Sequence, residues 1–209
     1  MSKKDLKEMS FLEHLEELRK ILIRATLAII IMATVVFFIS DFIFDTIIFG
    51  PTRTSFITYR FFCDLSHYVG FKDSICVDSL PFIIQNTDME GQVNILVWIC
   101  LVAGFILSFP YILWLLWSFI SPALYEKERK NAGLFIFIAS ILFFLGVLFG
   151  YFVVIPMSVN FFATFKVSEV VQNHFTLDSY IGMVKTSLIA SGLFFELPII
   201  IYFLTKLGL

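Results

Sequence analysis

Acidic side chains next to long apolar segments are the residues of this sequence best suited to chemistry. Glu16 and Glu17 precede the first apolar segment, and Glu128 lies between the second and the third. A carboxylate accepts a guanidinium through two parallel hydrogen bonds, so two acidic patches that face one compartment could form an arginine-binding surface. The alternative is a solvated charged face, in which the carboxylates pair with Arg19 and Lys20 at helical spacing. These residues alone leave both interpretations open.

No catalytic or metal-binding pattern accompanies these carboxylates in the sequence. His14, His67 and His174 are scattered, and the three cysteines show no metal-ligand spacing. There is no phosphate-binding glycine-rich loop and no nucleophile–base arrangement. A net charge of −2 gives no basic surface for nucleic acid. We therefore predict a protein that is not an enzyme and that uses no metal or cofactor.

Glu196 differs from the other carboxyl groups because it lies within an apolar segment. In a helix that begins at Tyr180 it would lie roughly 24 Å along the axis, too deep for its short side chain to reach water. Such a residue faces the bundle interior or an aqueous cavity. It could be a structural carboxyl group hydrogen-bonded to a neighbouring helix. It could also serve a proton-coupled small-solute transporter, although the internal repeat expected of a transporter is not visible.

The cysteines allow a separate structural expectation. Cys63 and Cys76 fall in a long loop between apolar segments, on the side predicted below to face an oxidising compartment. A disulfide closing this ring of about 14 residues would add about 3 kcal/mol of local stability. The sequence does not show whether their Cα atoms approach within about 7 Å. Cys100 lies within an apolar segment and is interpreted as a small core filler.

The composition indicates which solvent surrounds the elements that position these residues. Of 209 residues, 59% are apolar, 15% are charged and 27 are phenylalanine; the mean hydropathy is +0.91. A typical globular domain carries about 25% charged residues. A soluble fold of this size could not bury so much apolar surface. The chain is therefore predicted to be an integral membrane protein.

The apolar segments are long enough to be membrane-spanning helices. About 20 apolar residues are needed to cross the hydrocarbon layer, and barrel-type alternation is absent. We predict an all-α polytopic transmembrane helical bundle that forms a single membrane domain over residues 1–209. An amphipathic segment over residues 10–20, opened by the capping box Ser10-Phe11-Leu12-Glu13, precedes the first span. The four predicted spans cover residues 21–39, 95–120, 132–155 and 180–204, and the outer loop covers residues 41–92.

The distribution of lysine and arginine predicts the orientation. Both are frequent in the amino-terminal flank and in the short segment between the second and third spans. The long outer loop carries only Arg53, Arg60 and Lys72. Because positive charge stays on the cytoplasmic side, the amino terminus is predicted to be cytoplasmic. Four spans return the chain to the side on which it starts, so both termini of this chain are predicted to be cytoplasmic.

Five motifs in order along the chain resemble the TatC family, the receptor subunit of the twin-arginine protein translocase. His14-Leu15-Glu16-Glu17-Leu18-Arg19 resembles its H-L-x-E-L-R motif, and Ser121-Pro122-Ala123-Leu124-Tyr125 with Glu128-Arg129-Lys130 resembles its first cytoplasmic loop. The other three are Pro110 in the second span, Tyr151-Phe152-Val153-Val154-Ile155-Pro156 in the third, and Phe195-Glu196-Leu197-Pro198 in the fourth. The family has six spans, whereas this chain ends at Leu209 after the fourth. Its outer loop is also longer and carries Cys63 and Cys76.

The resemblance implies recognition of twin-arginine signal peptides on the cytoplasmic face and transport of folded proteins across the membrane. It implies a signal-peptide site made of Glu17, Glu128, Arg19, Arg129, Lys130 and Phe119. It implies structural roles for Pro51, Pro110, Pro122, Pro156 and Pro198. Glu196 is expected in a concave, partly hydrated wall of the bundle. An accessory subunit with purely structural contacts remains the third alternative.

The resemblance also implies partners and a location. The partners would be the signal peptides of folded precursors, small single-span translocase subunits of the TatA/TatB type, the lipid bilayer and further copies of the chain in a receptor complex. No nucleic-acid partner is expected. The protein would be located in the bacterial cytoplasmic (inner) membrane, which it would cross several times.

Overall fold

Long apolar helices dominate the computed structural model, which describes residues 11–69, 76–77, 79–120, 132–168 and 173–206. In chain order the helices are α1 Phe11–Phe38, α2 Ser40–Phe42, α3 Ile57–Val69, α4 Gly91–Ile120, α5 Ala132–Phe149, α6 Ile155–Thr164 and α7 Leu177–Lys206. The short strands β1 Ile83–Gln85 and β2 His174–Thr176 pair in parallel. The predicted all-helical transmembrane class is confirmed, with a small sheet that the sequence did not indicate.

Four helical stretches of the described residues are long and apolar enough to cross a membrane. They are Leu15–Phe38, Gly91–Phe119, Gly133–Thr164 and Leu177–Tyr202. The third runs past Ile155, where the predicted span ended, and through Pro156. Proline lacks a backbone N–H and is tolerated in the first turn of α6, and the π-helical segment Gly150–Val154 joins α5 to α6. The helical path therefore continues instead of stopping.

One end of the bundle is formed by residues 40–69, 76–77, 79–90, 155–168 and 173–176, which we call the cap. The opposite end, where α1 and α5 begin and α4 and α7 end, is called the open end. Between α1 and α3 the chain forms the π-helical segment Ile43–Ile48 and the 3-10 turn Gly50–Thr52. These irregular stretches have backbone carbonyls that regular helix bonds do not all satisfy, so other donors are needed there.

Tyrosine hydroxyls supply several of those donors in the cap. Tyr180 donates to the Ile48 carbonyl at 2.6 Å and Tyr151 to the Ile47 carbonyl at 3.0 Å. The Tyr59 hydroxyl lies 2.9 Å from the Pro51 carbonyl and 3.0 Å from the Pro156 carbonyl. Burial raises the pKa of the Tyr59 phenol, so it stays a donor. The cap is thereby fastened to the spans.

Small residues permit close helix packing in the bundle. Helix α1 packs on α4 and α5 packs on α7. A Cβ on Gly104 would lie 2.7 Å from the Ala33 nitrogen, and one on Gly146 would lie 2.5 Å from the Ser191 carbonyl. The Gly146-x-x-x-Gly150 pattern therefore faces α7 within the chain, as expected for internal packing.

Candidate functional site

The carboxylates at the amino end of α1 are solvent-exposed and differ in their partners. The Glu16 carboxylate lies 2.9 Å from the Lys20 ammonium, and both side chains are more than half exposed. Such a surface pair at i,i+4 contributes about 0.3–0.5 kcal/mol. Glu17 and Arg19 are exposed beside it, and Glu17 has no ion pair among the described residues. The solvated interpretation thus fits Glu16, whereas the Glu17 carboxylate can accept an external cation.

Of the remaining predicted signal-binding residues, only Phe119 falls within the part of the chain that the structure describes. Helix α4 ends at Ile120 and α5 begins at Ala132, at the end of the bundle where α1 also begins. Phe119 is half-buried in the last turn of α4. Four predicted site residues between these two helices lie outside the described residues: Pro122, Glu128, Arg129 and Lys130. Ser10 of the capping box also lies outside them.

Glu196 lies on α7 at the edge of an apolar cavity. Its side chain is 5% exposed, and its Oε1 atom has no hydrogen-bond partner among the described residues. The cavity has a volume of about 320 Å³. The other lining side chains are aliphatic or aromatic: Phe109, Leu113, Leu116, Trp117, Phe135, Ile136, Ala139, Leu193, Ile199 and Ile200. A buried polar atom without a partner costs about 1–3 kcal/mol, so this group is a strong candidate for an external partner.

The cavity belongs to the half of the bundle nearest the open end. Trp117 lies near the end of α4 and Phe135 near the beginning of α5. Pro110 and Pro198 lie within α4 and α7, next to the lining residues Phe109 and Ile199. Each proline removes one helical hydrogen bond, so two of the cavity walls lack one backbone hydrogen bond near the lining.

Lys185 is not the partner of Glu196. Its ammonium lies 5.3 Å from the centroid of the Trp98 ring, a cation–π contact. Glu196 follows Lys185 by 11 residues on α7, about 16 Å along the axis. The two charged groups of this span therefore belong to different ends of the bundle.

The cap contains a cluster that the sequence analysis did not assemble. Cys63 and Cys76 form a disulfide with a Cα–Cα distance of 4.5 Å. The nitrogen of His67 and the two sulfurs lie within 4.8 Å of one another. The Cys63-x-x-x-His67 spacing, one helical turn, was the available signal. As a disulfide the sulfurs are not thiolates, so a metal would have only the imidazole as a strong ligand.

The remaining predicted positions have structural surroundings. Pro51 and Pro156 are buried in the cap, and both carbonyls lie within reach of the Tyr59 hydroxyl. Cys100 is buried in the core of the bundle at 5% exposure, which agrees with a small core filler.

Comparison with known proteins connects these features to one family. The family model described as Sec-independent protein translocase protein (TatC) matches residues 13–209. The protein of that name from Blattabacterium sp. subsp. Periplaneta americana is 45% identical over 208 residues, which are 99% of this chain and 78% of that protein. TatCy of Bacillus subtilis is 31% identical over 209 residues, 100% of this chain and 72% of that protein.

The fold is similar to that of a solved structure as well. A crystal structure of a twin-arginine translocase receptor, TatC, superposes with a TM-score of 0.73 at 30% sequence identity. The match covers 94% of this chain and 76% of that one. Sequence and fold therefore point to the same family over nearly the whole chain.

Proposed function

This chain belongs to the TatC family of Sec-independent protein translocase proteins, and from that premise we propose that its open end binds twin-arginine signal peptides. Proteins of this family are components of a protein translocase, and the family is non-enzymatic. The comparisons do not support the alternative of a proton-coupled small-solute transporter that uses Glu196. The chain is a multi-pass membrane protein of the translocation pathway.

The observation that carries the proposal is the state of Glu17. Its carboxylate is exposed, whereas the adjacent Glu16 is paired with Lys20. A carboxylate at the open end with no ion pair to any described residue can accept an arginine guanidinium bidentately, which lysine cannot match. Glu128, in the segment that joins α4 and α5, is the proposed second acceptor. Arg19, Arg129, Lys130 and Phe119 would border the same surface.

Alanine substitutions test this assignment. Each charge-assisted contact contributes about 1.5–3 kcal/mol, so Glu17→Ala or Glu128→Ala should weaken binding of an Arg-Arg signal peptide about 10- to 100-fold. Peptide affinity measured by fluorescence anisotropy in detergent micelles would report the change. A Lys-Lys peptide should bind the parent weakly and respond little to either substitution.

Glu16→Ala is the matched control, because it removes a neighbouring carboxylate that is already paired. Its affinity for the Arg-Arg peptide should stay within about twofold of the parent value. If Glu17→Ala and Glu128→Ala both bind this peptide as tightly as the parent, the acidic surface is only solvated charge.

The cavity beside Glu196 supports a second part of the proposal. An apolar cavity with one unpaired carboxyl oxygen fits an apolar helix that carries a single hydrogen-bond donor. The single-span translocase subunits of the TatA/TatB type, which the resemblance implies as partners, are the proposed source of such a helix. We propose that such a subunit contacts α7 beside Glu196, and that further copies of this chain share the receptor complex.

The chain as a whole is proposed to act as one membrane domain over residues 1–209. Its orientation would place both termini in the cytoplasm and the cap outside a bacterial cytoplasmic (inner) membrane. The lysine and arginine distribution supports this orientation. The open end would then face the compartment in which precursors are made.

A further inference from the structure

Helix α3 in the cap divides into three sides with different surroundings. One side is packed against the protein: Thr58, Tyr59 and Ser66 are 6%, 2% and 2% exposed. A second side is apolar and exposed along the whole helix: Ile57 64%, Phe61 62%, Leu65 43% and Tyr68 90%. A third side carries exposed polar residues, Arg60, Asp64 and His67.

The angular arrangement of these sides is specific. With 3.6 residues per turn, the apolar stripe and the polar stripe each lie about 135° from the packed side and about 90° from each other. A helix surrounded by water on its free surface gains nothing from an uninterrupted apolar stripe. A helix at a membrane surface meets protein, acyl chains and water at once, and its residues segregate accordingly.

Hydrogen bonds hold α3 beside the cap-side part of the third span, at Phe152 and Pro156. The Thr58 hydroxyl donates to the Phe152 carbonyl at 2.7 Å, and the Tyr59 hydroxyl lies 3.0 Å from the Pro156 carbonyl. The span begins at Gly133. Phe152 lies 19 residues further on, about 28 Å along a helix, which is close to the hydrocarbon thickness of about 30 Å.

The apolar stripe is also continuous with the exposed surface of that span. Phe152 is 37% exposed, and its ring stacks on Phe56 with 6.0 Å between centroids. Ile57, the first residue of the stripe, follows Phe56 directly. An apolar path therefore runs from the surface of the third span to Tyr68, whose ring has the amphipathic character common at membrane interfaces.

We propose that α3 lies in the headgroup layer at the cap side of the bilayer and that the lipid surface is what covers its apolar stripe. Ile57, Phe61 and Leu65 reach toward the acyl chains, and Arg60 and Asp64 face water. The helix thereby fixes the depth of the cap relative to the membrane. This inference does not depend on signal-peptide binding, so either proposal can fail without the other.

A depth measurement with spin labels tests the proposal. A nitroxide is attached to a cysteine replacing Phe61, or in the matched control Asp64, in a Cys100→Ala chain whose Cys63–Cys76 disulfide is left oxidised. The protein is reconstituted in phosphatidylcholine bilayers, and power saturation compares collisions with oxygen and with a water-soluble nickel chelate. The oxygen-to-nickel ratio should be several-fold higher at Phe61 than at Asp64.

A second pair of labelled positions, Leu65 and Arg60, repeats the comparison, so that the result does not depend on the folding of any single variant. Equal access of the nickel chelate to both flanks would show a helix standing in water and would overturn the proposal. Protection of the Phe61 and Leu65 labels from both reagents would overturn it too, because a protein partner or a second copy would then cover the stripe.

Discussion

At the scale of single residues, Glu17 and Glu196 differ in what surrounds their carboxyl groups. Glu17 is exposed to solvent at the start of α1, where a charge is tolerated at little cost. Glu196 is buried beside an apolar cavity, with Oε1 lacking a hydrogen-bond partner among the described residues. A group of the second kind lowers stability unless a hydrogen-bond partner beyond the described residues completes it. This arrangement favours a role of Glu196 in binding over a purely structural role.

Replacing Glu196 with leucine separates these two roles. Because the substitution removes an unpaired buried polar atom, Glu196→Leu should raise the free energy of unfolding by about 1–3 kcal/mol. Thermal unfolding in detergent micelles, followed by circular dichroism, would measure this. Photo-crosslinking from Ile200 to a single-span subunit should fall in the same variant, and Glu196→Gln should preserve part of it. Lower stability of Glu196→Leu would instead indicate a carboxyl group satisfied within the fold.

At the scale of elements, the cap depends on side-chain donors that reach irregular backbone. The π-helical segment Ile43–Ile48 accepts hydrogen bonds from Tyr151 and Tyr180, which follow their acceptors by 104 and 132 positions in the sequence. Tyr59 is central because the residue is 2% exposed and its hydroxyl lies within hydrogen-bond distance of the Pro51 and Pro156 carbonyls. One hydroxyl thus connects the turn after α1 to the start of α6.

Removing that hydroxyl should loosen the cap. Tyr59→Phe leaves two buried carbonyls without this donor, so the free energy of unfolding should fall by about 1–3 kcal/mol. Tyr68→Phe, on the same helix but 90% exposed, should change it by less than about 0.5 kcal/mol. Thermal unfolding of the two variants in one detergent gives the comparison. Equal stability of Tyr59→Phe and the parent would mean that other contacts hold the cap.

At the scale of the whole molecule, the apolar exposed surface of the spans indicates that lipid surrounds the bundle. Large apolar side chains stand exposed along the spans, among them Ile31 at 61%, Phe38 at 82% and Phe194 at 69%. In water such a surface would drive aggregation, whereas in a bilayer it is solvated by acyl chains. The charged residues therefore matter chiefly at the two ends, where their asymmetry determines orientation.

Single-cysteine labelling tests that orientation. In a Cys100→Ala chain, cysteines replacing Lys3 or Lys127 should react with a membrane-impermeant maleimide only from the cytoplasmic side. A cysteine replacing Lys72 should react only from outside. Detergent-permeabilised membranes serve as the control, since all three sites should then react. Reaction at the Lys127 position from outside would show that the bundle has the opposite orientation. The open end would then face away from the compartment in which precursors are made.

The sequence by itself determined the helical class and the approximate places of the four spans. The reason is local: a stretch of about 20 apolar residues is a transmembrane helix whatever else the chain contains. The family was also readable from short motifs such as His14-Leu15-Glu16-Glu17-Leu18-Arg19. Cys100 as a filler and Gly146-x-x-x-Gly150 as internal packing followed from residue size and spacing.

Only the tertiary structure decided which distant residues meet. The Tyr180 hydroxyl bonds the Ile48 carbonyl across 132 positions of sequence, β1 pairs with β2, and Cys63 joins Cys76. The cavity beside Glu196 and the three sides of α3 likewise depend on which helix faces lie together. Periodicity gives the face of one helix but not its neighbour, because packing against other elements sets a helix's rotation and its partners.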